Sequence, residues 1–130
     1  MKLTVKTSVS DQIVDITDAI EEKLSNQQIE NGVCVVFVKH TTCAITTADL
    51  DPGTDEDFLH FLRKITPSMN FNHPHDPSHT PDHLLSSIIG PQIIIPFLNG
   101  RLDLGVWQRV VLVELSGPRV REISLTIVSS

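Results

Sequence analysis

Several protein classes are excluded by what this sequence lacks. It has two cysteines in 130 residues, Cys34 and Cys43, and no CxxC pair. That leaves no disulfide framework to read and points to two reduced thiols, as in a cytoplasmic chain. No apolar run approaches the ~20 residues that cross a bilayer, so no membrane partner is expected. The opening stretch, MKLTVKTSVS, alternates polar and apolar residues and carries no signal-peptide core. Basic residues are outnumbered, ten Lys and Arg against sixteen Asp and Glu, for a net charge of −6. An acidic chain is a poor non-specific binder of nucleic acid or anionic membrane, so no nucleic-acid partner is expected either. Neither a GxxxxGK[ST] nor a GxGxxG phosphate loop occurs, and there is no GxSxG elbow.

What remains describes one ordinary globular domain spanning residues 1–130. Apolar residues make up 40% and charged residues 20%, with mean hydropathy near zero. A chain of this length buries roughly two-thirds of its unfolded surface and needs no disulfide or metal to fold. The charge is uneven. Residues 1–100 hold six basic and thirteen acidic side chains, whereas residues 101–130 hold four arginines and three acids. Asp49, Asp51, Asp55, Glu56 and Asp57 crowd nine positions, either as a solvated loop and helix start or as a platform for a divalent cation.

Periodicity predicts the elements. Residues 3–9 alternate as a half-buried strand. Residues 16–26 place Ile16, Ala19, Ile20 and Leu24 on one helical face, with Asp18 and Glu21 at capping-box spacing and Thr17 as an alternative cap. Val33–Val38 is β-branched and almost wholly apolar, as in a central strand, and runs into the polar Lys39-His40-Thr41-Thr42. A strand over Ala44–Thr47 follows, then a break at Asp51-Pro52-Gly53. Thr54 is placed to cap a helix over about 55–65. Residues 66–80, with Pro67, Pro74 and Pro77, read as a long loop, and loops of that length inside small domains are usually functional or disordered. A short helix capped by Thr80 runs from Pro81 to Gly90. The remainder is β, with Asn99-Gly100 as a hairpin signal and Pro96 marking an edge or bulge. The sum is an α+β domain, a mostly antiparallel sheet or sandwich with two or three helices packed on it.

Histidine is the strongest chemical signal. His73, His75, His79 and His83 fall within eleven residues, and imidazole serves both as metal ligand and as acid or base near neutrality. Prolines interrupt the segment, so its spacing alone fixes no metal site. His83 sits in the first turn of its helix. His40 ends a buried strand where sheets present catalytic groups. Asp57 lies in the first turn of its own helix, as a structural acid or as a ligand or base near His40. Asp76 and Asp82 flank the His-rich segment and can orient imidazoles. Arg101, Arg109, Arg119 and Arg121 occupy the C-terminal β region, and arginine suits bidentate phosphate binding; Arg119 follows the turn Gly117-Pro118. Cys43 is a candidate nucleophile beside His40. Trp107, the single tryptophan, follows Gly105 and either fills the core or stacks on a flat heterocycle.

Several of these residues occur in a recognisable order: His40-Thr41-Thr42, the helix of Asp57, Asn72-His73, His83-Leu84 with Gly90, Asn99-Gly100-Arg101-Leu102-Asp103-Leu104-Gly105-Val106-Trp107-Gln108, and Gly117-Pro118-Arg119-Val120-Arg121. Over about residues 3–128 the chain resembles the secondary thiamine-phosphate synthase family, also called the YjbQ family. The chain departs from the family pattern at Ala48-Asp49, where many relatives carry Asn-Glu. The resemblance implies a compact α+β homotrimer with sites near subunit boundaries. It implies joining of hydroxymethylpyrimidine diphosphate to thiazole phosphate with release of pyrophosphate. It implies His40, Asp57 and His83 as catalytic residues, and Thr41, Arg119 and Trp107 as contacts to a small phosphorylated substrate. A divalent metal ion, Mg or Zn, on His40, His73 and His83 is expected to assist. The same residues would serve a metal-dependent phosphate-ester hydrolase, or a trimeric protein that binds a metal or small ligand and turns nothing over.

Overall fold

A computed structural model describes residues 1–130. Eight strands and three α-helices follow in the order β1 (Lys2–Lys6), β2 (Gln12–Asp15), α1 (Thr17–Ser25), β3 (Gly32–Val38), β4 (Cys43–Ala48), α2 (Thr54–Lys64), α3 (Thr80–Ile89), β5 (Gln92–Leu98), β6 (Arg101–Leu102), β7 (Arg109–Glu114) and β8 (Val120–Ser129). A single 3₁₀ turn, Pro77–His79, leads into α3. The strands form a five-stranded sheet, β1-β8-β3-β5-β6, and a three-stranded sheet, β2-β7-β4. Every pairing is antiparallel. The expected α+β architecture is therefore the observed one.

Side-chain parity explains the layering. Along β3, Cys34, Val36 and Val38 point inward, and Ile123 and Leu125 of β8 and Ile95 and Phe97 of β5 join them. They meet Cys43 and Ile45 of β4 and Val110 and Leu112 of β7, with Ile16 at the N-cap of α1 and Ile20 and Leu24 within it closing one end. The alternate residues of the small sheet, Ala44, Val111 and Val113, face the other way against Leu62 of α2 and Leu85 of α3. The small sheet is thus buried on both faces, which is why β7 reads as a continuous apolar run. Each fully buried aliphatic contributes roughly 1.5–3 kcal/mol relative to exposure.

The ends of the elements differ from expectation in instructive ways. The first strand stops at Lys6. Thr7 is buried and turns its hydroxyl to Glu114. None of the expected threonine caps operates. Ile16 stands at the N-cap of α1 without a side-chain cap, and Asp15 before it accepts from the Thr17 amide and hydroxyl at 3.0 and 2.7 Å. Gly53, at φ 90°, precedes α2, and His79, coming out of the 3₁₀ turn, precedes α3. Pro96 lies in β5 where β6 pairs only with Phe97 and Leu98, so its missing N–H breaks no ladder. The expected strand from Trp107 begins at Arg109, because the chain changes sheets between β6 and β7. Lys39–Thr42 is another such crossover, from β3 to β4.

Candidate functional site

Polar residues gather where the Lys39–Thr42 crossover meets β8 and α3. The Lys39–Thr42 segment is held from three sides. From α3, Ser86 Oγ donates to the Cys43 carbonyl at 2.6 Å, and His83 Nδ1 lies 3.1 Å from the Thr41 carbonyl. At the end of β7, the Leu115 amide donates to the Thr42 carbonyl. From β8, Arg121 Nη2 donates to the Thr42 hydroxyl and carbonyl, and the Glu122 amide donates to His40 Nε2 at 3.1 Å. The result is a cleft of about 560 Å³ lined by Lys39, His40, Thr41, Thr42, His73, Asp76, His79, His83, Ser116, Arg119 and Arg121. No apolar side chain lines it.

Of the expected site residues, His40, Thr41, His73, His83 and Arg119 come together here, although more than forty residues separate His40 from His83 and from Arg119. Asp57 does not join them. It is exposed in the first turn of α2, away from the cleft lining. Trp107 does not join them either. It lines a separate depression with Asp15, Asp49, Asp51 and Arg109. In the small sheet Arg109 pairs with Ala48, and Glu114, near the cleft, pairs with Cys43. Five residues of strand, roughly 17 Å, lie between the two regions. Cys43 is fully buried and burial pushes its thiol up to about 11, so it is no nucleophile at neutral pH. His79 lines the cleft, whereas exposed His75 only meets the His73 ring edge-on.

A buried ion pair forms the floor. Glu114 is fully buried and the Arg121 side chain is 3% exposed. Arg121 grips Glu114 sideways through Nε and Nη2. Glu114 also accepts from the Ser116 amide and the Thr7 hydroxyl. Burial opposes its charge, but those hydrogen bonds prevail and hold the carboxyl below its ordinary range. Glu114 was missed in the sequence, though a lone acid inside the apolar run Val110–Leu115 is the signal that finds it. Arg121 also has a signal, since it shares parity with the inward-facing Ile123 and Leu125.

The histidines differ in what they offer. His40 Nε2 accepts from an amide, so the neutral ring carries its proton on Nδ1. His73 Nδ1 accepts from the Asp76 amide at 3.3 Å, which places its proton on Nε2. His79 has both nitrogens against carboxylates, Asp76 at 3.2 Å and Asp82 at 3.4 Å. Only His83 has the opposite arrangement: its Nδ1–H donates to a carbonyl and Nε2 keeps a free lone pair. The His73 and His83 rings stack with centroids 4.9 Å apart. A divalent ion needs converging lone pairs, and His40 and His73 have committed theirs to backbone amides. No three His, Cys, Asp or Glu side chains form a group that could hold a metal ion. The arrangement does not fit a resident cation on His40, His73 and His83.

Fold and cleft together define a class: a small two-sheet α+β domain whose basic, histidine-lined cleft opens at the crossover between its sheets. The chain belongs to the YjbQ family; the family model described as UPF0047 protein YjbQ-like matches residues 1–130. A UPF0047 protein of Archaeoglobus fulgidus is 34% identical over 124 residues, covering 95% of this chain and 96% of that one. The Bacillus subtilis protein YugU is 33% identical over 120 residues, covering 92% and 91%. Among solved structures, a YbjQ-like protein of unknown function from Sulfolobus solfataricus superposes with a TM-score of 0.92 at 34% identity, covering 100% of this chain and 96% of that one. A hypothetical protein of Aeropyrum pernix gives 0.89 at 38% identity, covering 100% and 98%.

Proposed function

We propose that the cleft binds a small phosphorylated substrate and performs the thiamine-phosphate synthase reaction. The ring nitrogen of thiazole phosphate attacks the methylene carbon of hydroxymethylpyrimidine diphosphate. A C–N bond forms, the C–O bond breaks, and pyrophosphate leaves with the bonding pair. The observation that supports this reading is the convergence of His40 and His83 on one cleft with Arg119. Arginine suits the leaving pyrophosphate, and Lys39 and Arg121 add positive charge where negative charge develops. His83, oriented through Nδ1, presents Nε2, which in the imidazolium form gives its proton to the departing oxygen. The Thr41 hydroxyl is placed to contact the same substrate. The stacked imidazoles of His73 and His83 supply the flat surface, since Phe71 and Trp107 line other depressions.

The test is direct assay of thiamine phosphate and pyrophosphate from the two substrates. His83→Ala should lower turnover about 100-fold or more, in keeping with the worth of a positioned acid, with the fold retained by circular dichroism. Product formation at the parent rate in that variant would disconnect the histidine from the chemistry. The wholly polar lining also suits water as the acceptor, which defines a second reading: a phosphate-ester hydrolase, recognised by phosphate or pyrophosphate release with no thiamine phosphate.

The proposal includes self-association as a homotrimer. Helices α2 and α3 pack on the small sheet, and α1 closes one end of the core between the sheets. The outer face of the large sheet carries Val33, Pro96 and Val128 in one cross-strand row and Val35 and Ile94 in the next. Ile94 is 62% exposed and Val128 55%. Contiguous apolar surface of this kind is uncommon on a monomer.

A further inference from the structure

We infer that the floor of the cleft is an oxyanion subsite built on Arg121, which takes a phosphate group through its Nη1 edge without a bridging metal ion. This deepens the reading of a phosphorylated substrate and rests on it for the ligand's class.

The case begins with how Arg121 spends its donors. Nε and one Nη2 hydrogen go to Glu114, and the other Nη2 hydrogen goes to Thr42. No hydrogen bond in the protein involves Nη1, and Nη1 is not among the sealed, unpartnered polar atoms, of which Thr80 Oγ1 is the one example. Since Arg121 lines the cleft while its residue surface is 2% exposed, Nη1 takes part in that small opening. A guanidinium kept only for structure turns all its edges into protein. This one is gripped from one side and leaves the other edge free.

The surroundings complete an anion site rather than a cation site. Arg119 Nε donates to the Ser116 carbonyl at 2.8 Å, which fixes its guanidinium at the wall with both terminal nitrogens unpartnered. Lys39 adds a third cation. His40, its Nε2 occupied by the Glu122 amide, carries a proton on Nδ1 and is a further donor. The only carboxylate in the lining is Asp76, and it is engaged with Ser78 and His79. With Arg121 paired to Glu114 beneath it, Arg119 and Lys39 against the committed Asp76 still leave the cleft net positive on a chain of net charge −6, a local inversion of sign that favours an anion. Glu114 sets the orientation of Arg121 and consumes part of its charge, so the subsite binds a phosphate reversibly.

The test is titration calorimetry of the full chain with inorganic pyrophosphate and with inorganic phosphate, EDTA present throughout. Binding of pyrophosphate is expected, with affinity lowered at least tenfold in Arg121→Lys. Lysine keeps a cation beside Glu114 but loses the second donor nitrogen. A variant melt close to the parent's validates that comparison. If Arg121→Lys unfolds, the decisive measurement is nitrogen NMR of the unaltered protein: the Arg121 guanidinium and His40 Nδ1 resonances must move on adding pyrophosphate. The proposal is overturned by absence of binding without metal, by unchanged affinity in folded Arg121→Lys, or by unmoved resonances. Parallel titration with hydroxymethylpyrimidine diphosphate separates an ester's terminal phosphate from free pyrophosphate as the ligand. Equal losses in Arg121→Lys place both in the subsite, and an ester unaffected by the substitution overturns it as a substrate site. Metal-free pyrophosphate binding that depends on Arg121, in a protein that forms no thiamine phosphate, keeps the subsite and removes the reaction. Condensation with no such binding does the reverse.

Discussion

His40 is held neutral. Burial is the main cause, and the charge of Arg121 adds to it, so the ring titrates below its ordinary value of 6.5. In the unfolded chain the ring takes its proton near 6.5, and in the folded chain only at lower pH. Between those values the unfolded state binds more protons, so stability falls as pH drops from above 6.5 through the folded value. His40→Gln keeps an acceptor for the Glu122 amide and removes this dependence. The melting temperature should therefore fall less between pH 7.5 and pH 5.5 in the variant than in the parent protein. Thr80 gives an independent prediction. Its hydroxyl is buried without a partner, a burden of about 1–3 kcal/mol where it is fully desolvated. Thr80→Val should leave stability unchanged or raise it by about 1 kcal/mol, read as the urea midpoint. At this level the sequence named His40, His73, His83 and Arg119 but not which ring nitrogen each imidazole offers. Which imidazole nitrogen is free depends on the group opposite it, and for His40 and His83 that group lies 82 and 42 positions away.

Element ends were harder to read than element interiors. Val33–Val38 was legible as a central strand because it is paired along both edges, by β5 and β8, and buries Cys34, Val36 and Val38 in the inner core. The helix starts were not, since Thr17, Thr54 and Thr80 all look like caps and none is one. Asp15, just before the N-cap Ile16, holds the first amide of α1 and also accepts from Arg109 Nε at 2.7 Å. Asp15→Ala should cost about 1–2 kcal/mol in urea unfolding without loss of the cleft. The turn after β7 is more sensitive. A Cβ on Gly117 would stand 2.1 Å from the Val9 carbonyl oxygen and 2.9 Å from Thr7 Oγ1. Gly117→Ala must shift backbone beside Glu114. A loss of at least about 2 kcal/mol is expected, along with weakened pyrophosphate binding measured by calorimetry.

For the molecule as a whole, the open face of the five-stranded sheet carries the remaining prediction. Ile94→Asp puts a charge at the centre of that face without touching the inner core. If three copies meet there, mass measured by light scattering falls from three chains to one in the variant; an unchanged mass rejects this face as the contact. No helix is long and apolar enough to cross a membrane.

Alternation and apolar periodicity determined the strands, the helices and the α+β class, because those patterns report the face each segment must bury and need only near neighbours to do so. The order of motifs pointed to the YjbQ family. Tertiary structure decided the site. It brought His40, His83 and Arg119 together, left Asp57 and Trp107 elsewhere, and turned the lone acid of β7 into the partner of Arg121. The physical reason is that a charge inside an apolar layer is tolerable only where a distant strand delivers its counter-charge, and that meeting is set by the pairing of β8 and the packing of the two sheets.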